Sequence, residues 1–256
     1  IFTPYRIYAS LIVTLSDYVT GPTIALANFF SKQYQNKLLS IIFNKRLPST
    51  FASPIVPPPE NSKIKINFRE KIDPKKCLNI FFLGSLMSVY DFQTVSKSLK
   101  LLDNKNFRYQ LFIAGKGGNE EEIKKLFKNS RNVEFLGWIN REEAIKVANN
   151  SHLAIAPYQN MINYELNLVN KYIDYMSLGL PVLSPLKGYI YSFIEENNIG
   201  INYKPNDPIN LSESIIKTAH SQENIISMSQ NAYELFLKEF NYEKVYGKIV
   251  DKIESL

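Results

Sequence analysis

The chain of 256 residues has one cysteine, Cys77, and two histidines, His152 and His220. A single thiol cannot form an internal disulfide or build a cysteine-based zinc cage, and two histidines leave no histidine-rich metal site. This cysteine usage fits a reducing compartment. Arginine is also scarce: Arg6, Arg46, Arg69, Arg108, Arg131 and Arg141 are scattered, and most of the positive charge is lysine mixed among Glu and Asn. Nucleic-acid readers concentrate Arg and Lys with interleaved aromatics. With no such stripe, the net charge of +6, from 30 Lys+Arg and 24 Asp+Glu, reads as a mildly basic solvated surface, and no nucleic-acid partner is expected. Internal repeats and low-complexity tracts are absent.

What is present is an ordinary globular composition, 45% hydrophobic and 21% charged, in a chain long enough to bury one large core. It begins with Ile1 rather than Met, which reads as a fragment or processed product. From Ile7 to Ser31 the only formal charge is Asp17. A membrane span there would carry Asp17 near its centre at about 2.5–3.5 kcal/mol, and Gly21-Pro22 would interrupt it. Two short packed elements are expected instead, one ending near Val19 and a helix starting at Pro22. No basic start followed by a small-residue cleavage site marks a signal peptide. Pro48, Pro54, Pro57, Pro58 and Pro59, followed by the polar stretch Glu60 to Lys76, read as an extended connector and a domain boundary.

Beyond residue 76 the rhythm becomes regular. Short apolar runs at Leu78–Leu83, Tyr109–Ala114, Val133–Leu136, His152–Ala156, Pro181–Leu183 and Ile201–Tyr203 read as strands, and amphipathic segments alternate with them. Asp91 caps the first helix, Asn119 with three glutamates opens the second, and Asn140 with Glu143 makes a capping box for a third over 141–149. Strands apolar on both sides, alternating with helices, predict an α/β domain of Rossmann-like, doubly wound parallel type, closed by two or three helices.

Ligands of such sheets bind beyond the carboxyl ends of the strands. Three of those loops begin with glycine, at Gly84, Gly115 and Gly137, where backbone can approach a ligand closely. Gly115-Lys116-Gly117-Gly118 fits neither the dinucleotide fingerprint nor the P-loop, and by itself is equally a turn with a solvated lysine. A sharper pattern is Asn170-Lys171-Tyr172-Ile173-Asp174-Tyr175-Met176, which ends at Gly179-Leu180-Pro181-Val182. Lys171 and Asp174 are three apart and share a helical face near its start. A lysine beside free amides suits a diphosphate, and a carboxylate one turn on suits two sugar hydroxyls. The plain alternative is a surface ion pair worth a few tenths of a kcal/mol.

This run resembles the Asn-Lys-x-x-Glu-Tyr-Met-x-x-Gly-x-Pro-Val signature of GT-B fold glycosyltransferases, family 4 or group 1 type. The resemblance continues in order through Phe82-Leu83-Gly84-Ser85-Leu86 with Tyr90-Asp91, Phe112 to Gly117, and Val133 to Trp138, covering about 78 to 219. It implies a division into residues 1–76, the remnant of an N-terminal acceptor domain plus linker; 77–240, the nucleotide-sugar-binding domain; and 241–256, a C-terminal crossover helix. It also implies that Asp174 binds the ribose hydroxyls, that Lys171 with the amides around Asn167 to Asn170 holds the diphosphate, that Gly84 and Ser85 approach it from the opposite side, and that Trp138 and Ile139 flank the base. Lys116 joins this donor-binding set. Leu166 stands at the first glutamate of the family's Glu-x7-Glu motif, with Glu165 one residue away and so turned by about 100° on a helix, and no catalytic residue is assigned.

The function implied is transfer of a sugar from a nucleotide-diphosphate sugar to a lipid-linked or saccharide acceptor, with retention of configuration and without metal or other cofactor. The expected setting is cytoplasmic, at the inner face of the cytoplasmic membrane, where the lysine-rich surface could rest on anionic lipid. With the acceptor domain incomplete, the chain alone would bind donor and transfer nothing. Two alternatives remain: a nucleotide-sugar-binding module without catalysis, and a GT-B-like or Rossmann enzyme such as a nucleotide-sugar epimerase.

Overall fold

The computed structural model describes residues 18–21, 27, 49–52, 66, 73–165 and 167–254. Most of the apolar N-terminal segment, most of the proline-rich connector and Leu166 therefore lie outside the described residues. Two short strands from that region are described, β1 (Tyr18–Gly21) and β2 (Ser49–Ala52), paired in parallel from Tyr18 with Ser49 to Gly21 with Ala52. The first element thus runs from Tyr18 to Gly21 instead of ending near Val19, and the connector contains a strand; the start of the helix expected from Pro22 lies outside the described residues. Prolines flank β2 but none lies in it, and the extended backbone they favour is already that of a strand.

The alternating pattern forms a separate six-stranded sheet. Its strands are β3 (Leu78–Leu83), β4 (Tyr109–Ala114), β5 (Val133–Gly137), β6 (Leu153–Ile155), β7 (Val182–Ser184) and β8 (Gly200–Asn202), in the order β5-β4-β3-β6-β7-β8, all parallel. The order reverses between β3 and β6, the switch point of a doubly wound sheet. The helices are α1 (Phe92–Asn104), α2 (Glu120–Leu126), α3 (Arg141–Asn149), the single turn α4 (Ile162–Glu165), α5 (Asn170–Ser177), α6 (Tyr189–Asn197), α7 (Pro208–Ala219), α8 (Gln222–Glu239) and α9 (Tyr242–Glu254). Local chemistry sets several of their starts. Asp91 accepts from the Thr94 amide at 2.9 Å, Asn140 and Glu143 close their reciprocal capping box at 2.9 and 2.8 Å, and Asp207 caps α7 ahead of Pro208. Asn119 opens α2 without a side-chain cap.

Both faces of the sheet are covered, and β3 shows why all its residues but Asn79 are apolar. Phe81 packs into one core with Ile145, Tyr172, Ile173, Ile190 and Ile194. Its neighbours Ile80 and Phe82 point into the other, with Val95, Leu99, Leu211 and Ile215. A strand buried on both sides needs apolar residues at odd and even positions alike. No described helix is long and apolar enough to cross a membrane.

Pairing of β3 with β6 ends at Phe81 with Ala154, so the last residues of β3 lack a strand on that side. The Tyr175 hydroxyl of α5 fills the gap, accepting from the Leu83 amide at 3.1 Å and donating to the Ile155 carbonyl at 3.0 Å. Tyr175→Phe should leave both buried backbone groups unsatisfied and cost about 1–3 kcal/mol. Urea denaturation should show this as a lower midpoint at unchanged slope; an unchanged midpoint would remove the bridge from the account.

Candidate functional site

The switch point lies between β3 and β6, where a doubly wound sheet takes its ligands, and the loops after these two strands are tied together there, the Asp91 amide donating to the Pro157 carbonyl at 2.7 Å and the Gln159 amide to the Val89 carbonyl at 2.8 Å. The helix α5 enters there. Its N-cap is Val169, without a side-chain cap, and its first turn carries no acidic residue. An uncapped helix start with a lysine in its first turn attracts anions through its amides, its dipole and the ammonium.

Lys171 does not project into solvent as a surface ion pair would. It is only 5% exposed, and its Nζ donates to the Leu83 carbonyl at the end of β3. The ammonium lies over three rings, 4.2 Å from the centroid of Phe82, 5.0 Å from Tyr90 and 5.7 Å from Tyr175. Burial pushes its pKa down to about 7, against the opposing field of Asp174. Asp174, one turn further on and half-buried, is affected in the reverse sense. Burial raises its carboxyl, while Lys171 and then Arg141 hold it down.

Glycine allows the loops to close on this lysine. A Cβ at Gly84, where φ is +147°, would collide with Lys171 Nζ, and one at Gly115, where φ is +134°, would collide with the Gly84 carbonyl. The loops after β3, β4 and β5 are joined in series: the Leu86 amide donates to the Lys116 carbonyl at 3.0 Å, and Gly115 to the Gly137 carbonyl at 2.6 Å. Of the residues expected at the site, Gly84 and Lys171 are thus in direct contact, with Asp174 beside them. Ser85, Lys116 and Asn170 stand exposed on the same rim. Trp138 is 70% exposed, and Ile139 packs partly buried against the core that holds α5. Among the described residues no hydrogen bond, ion pair or ring contact joins Lys116 or Trp138 to Lys171.

Glu165 lies on α4 and accepts from Asn160 at 2.7 Å, while Asn160 accepts from the Lys187 amide at 3.1 Å. This ties the loop after β6 to the loop after β7. Two groups of residues escaped the sequence reading. Arg141 donates to Ser177 Oγ at 3.0 Å, and Ser177 donates to the Asp174 carbonyl at 2.6 Å; only a basic residue at a helix start, where the dipole disfavours it, hinted at a role. Tyr90 and Tyr158 approach each other, with their hydroxyls 3.4 Å apart, and Tyr158 stacks on Tyr172; nothing in their spacing marks them as one cluster. Among the described residues no three His, Cys, Asp or Glu side chains converge as a metal would need.

Residues 63–235 match the model of the family described as Glycosyl transferases group 1. No curated protein matches the chain in sequence. Among solved structures, HepE of Anabaena, in complex with UDP and glucose, is 15% identical with a TM-score of 0.67, covering 99% of this chain and 67% of its own. Sucrose-phosphate synthase of Thermosynechococcus elongatus is 14% identical with a TM-score of 0.70, covering 98% and 62%. TarM of S. aureus, in a complex containing UDP, is 16% identical with a TM-score of 0.60, covering 83% and 41%. The chain spans less than half the length of TarM. At these identities the likeness is one of fold.

Gly115→Ala meets both a strained φ and a backbone collision, and should lower stability by about 2 kcal/mol or more. Gly118→Ala, whose Cβ meets nothing within 4 Å, should stay within roughly 0.5 kcal/mol of wild type. Paired thermal melts check the contrast, and equal losses would contradict the loop packing described.

Proposed function

The chain belongs to the glycosyl transferases group 1 family, and from that premise we propose that it carries the nucleotide-sugar site of a glycosyltransferase that moves a hexose from a nucleotide-diphosphate sugar. The observation that carries this reading is Lys171, buried at the uncapped start of α5 under Gly84, with Asp174 one turn along the same helix. Two phosphates seated there meet an ammonium, helix amides and a positive dipole, the groups needed to stabilise charge that develops on a leaving nucleotide. Asp174 takes the ribose hydroxyls, Gly84 and Ser85 close over the diphosphate, Asn170 adds an amide, and Lys116, Trp138 and Ile139 border the base. Transfer is retaining and metal-independent.

Supporting the division of the chain are two separate sheets, β1 with β2 and the six strands from β3 to β8. Residues 1–76 belong to an acceptor domain and linker, 77–240 to the donor domain, and 241–256 to the returning helix. The acceptor is lipid-linked or a saccharide, and the lysine-rich exterior suits a protein working in the cytoplasm against anionic lipid. HepE is seen with UDP-glucose, which makes that donor the first to try.

A nucleotide-sugar-binding module without turnover is the second reading. It rests on Glu165, the only carboxylate of the loop 157–169, which is engaged by Asn160 rather than free to act on a sugar.

Calorimetric titration with UDP and GDP tests the site. Wild type should bind one of them, and Asp174→Ala should bind it roughly 10–100-fold more weakly, the loss of charge-assisted bonds to two hydroxyls. Absence of binding by wild type, or equal binding by the two proteins, would sink the assignment.

A further inference from the structure

Among the described residues Lys171 is the one Lys, Arg, Asp or Glu that is buried. An ammonium offers three donors. The structure supplies one carbonyl, Leu83, and fills the remaining directions with the rings of Phe82, Tyr90 and Tyr175 and the backbone of Gly84. Ring faces support a cation more weakly than the water they displace. The cage therefore suits a neutral amine as well as an ammonium, until something anionic arrives.

We propose that a nucleotide-diphosphate donor draws a proton onto Lys171 as it binds, so that the site becomes fully cationic only when the diphosphate is seated. This rests on the donor-site reading above and adds a regulation of that site by pH. Other ionisable groups face the lysine from each element packed around it. Asp174 and Tyr175 of its own helix and Tyr90 of the loop after β3 meet it directly; Tyr158 of the loop after β6 meets Tyr90 and stacks on Tyr172, and Arg141 of α3 acts on Asp174. Burial raises the pKa of all four tyrosines, so they stay neutral from pH 6 to 8. Asp174 favours the charged lysine, but burial raises its own pKa and Arg141 shares its field.

In the free protein Lys171 loses its proton above a pKa of about 7. The field of two phosphates at the start of α5 raises that pKa, so the complex holds more protons than its separated parts, and affinity declines as pH rises through neutrality. Transfer of the sugar and departure of the nucleotide release the proton again.

Isothermal titration of UDP-glucose into the 256-residue chain tests this, at pH 6, 7 and 8 in buffers of low and high ionisation enthalpy. Both phosphates of this probe are esterified and stay ionised throughout, so the ligand contributes no proton. Net proton uptake should grow from pH 6 to pH 8, and Kd should rise several-fold over the same range. Lys171→Met should bind more weakly, with no uptake and a flat pH profile. If that variant fails to fold or bind, the wild-type buffer dependence and pH profile still decide the matter. Binding by wild type with buffer-independent heats and a flat Kd would overturn the proposal while leaving the donor site standing. Uptake persisting in Lys171→Met would overturn it in favour of another group, Asp174 first. No binding of UDP-glucose at any of these pH values, with UDP and GDP also silent, would remove the donor site and this inference together.

Discussion

The last residue of β3 has a backbone amide and carbonyl that no strand on the β6 side can meet, because pairing with β6 stops at Phe81 and Ala154. Buried backbone groups must find partners, and at the switch point they find them on one helix. Tyr175 accepts from the Leu83 amide and reaches the Ile155 carbonyl, and Lys171 donates to the Leu83 carbonyl. The fold is thereby tied to the site. The contacts that dock α5 onto the sheet also place its uncapped start at the switch point and draw a lysine out of water.

The loops around α5 are arranged so that this burial is geometrically possible. Gly115 lies under the Gly84 carbonyl and Gly117 under the Leu86 carbonyl, and hydrogen bonds from the Leu86 amide to the Lys116 carbonyl, and from the Gly115 amide to the Gly137 carbonyl, lock the three loops together. Each glycine removes a Cβ at a point where backbone meets backbone or where backbone meets the lysine. The loops after β6 and β7 are joined separately, through Asn160 and Glu165. The two sets of loops are also tied to each other, by the Asp91 amide to the Pro157 carbonyl and the Gln159 amide to the Val89 carbonyl.

Much of this was legible in the chain itself. The six apolar runs, the caps at Asp91 and Asn140 and the glycines after the first strands follow from short-range rules, and the structure contains each of them. The short strand β2 was missed because prolines on both sides make a strand and an extended connector look alike in sequence. Arg141 and the tyrosine cluster were missed for a different reason. Tyr90, Tyr158 and Tyr172 come from three segments, and only the folding of those segments onto one end of the sheet makes them neighbours.

The sequence by itself determined the class of the fold and the membership of the family, because both reside in local periodicity and in the order and spacing of short motifs. It also put Lys171 and Asp174 on one helical face, since an i, i+3 separation requires it. Only the tertiary structure decided what kind of lysine this is. From spacing alone, a solvated ion pair remained the plain alternative for Lys171. Docking of α5 against the end of β3 surrounds its ammonium with rings and one carbonyl. Proton affinity depends on that enclosure, a property of the assembled interior that adjacent residues in the chain do not encode.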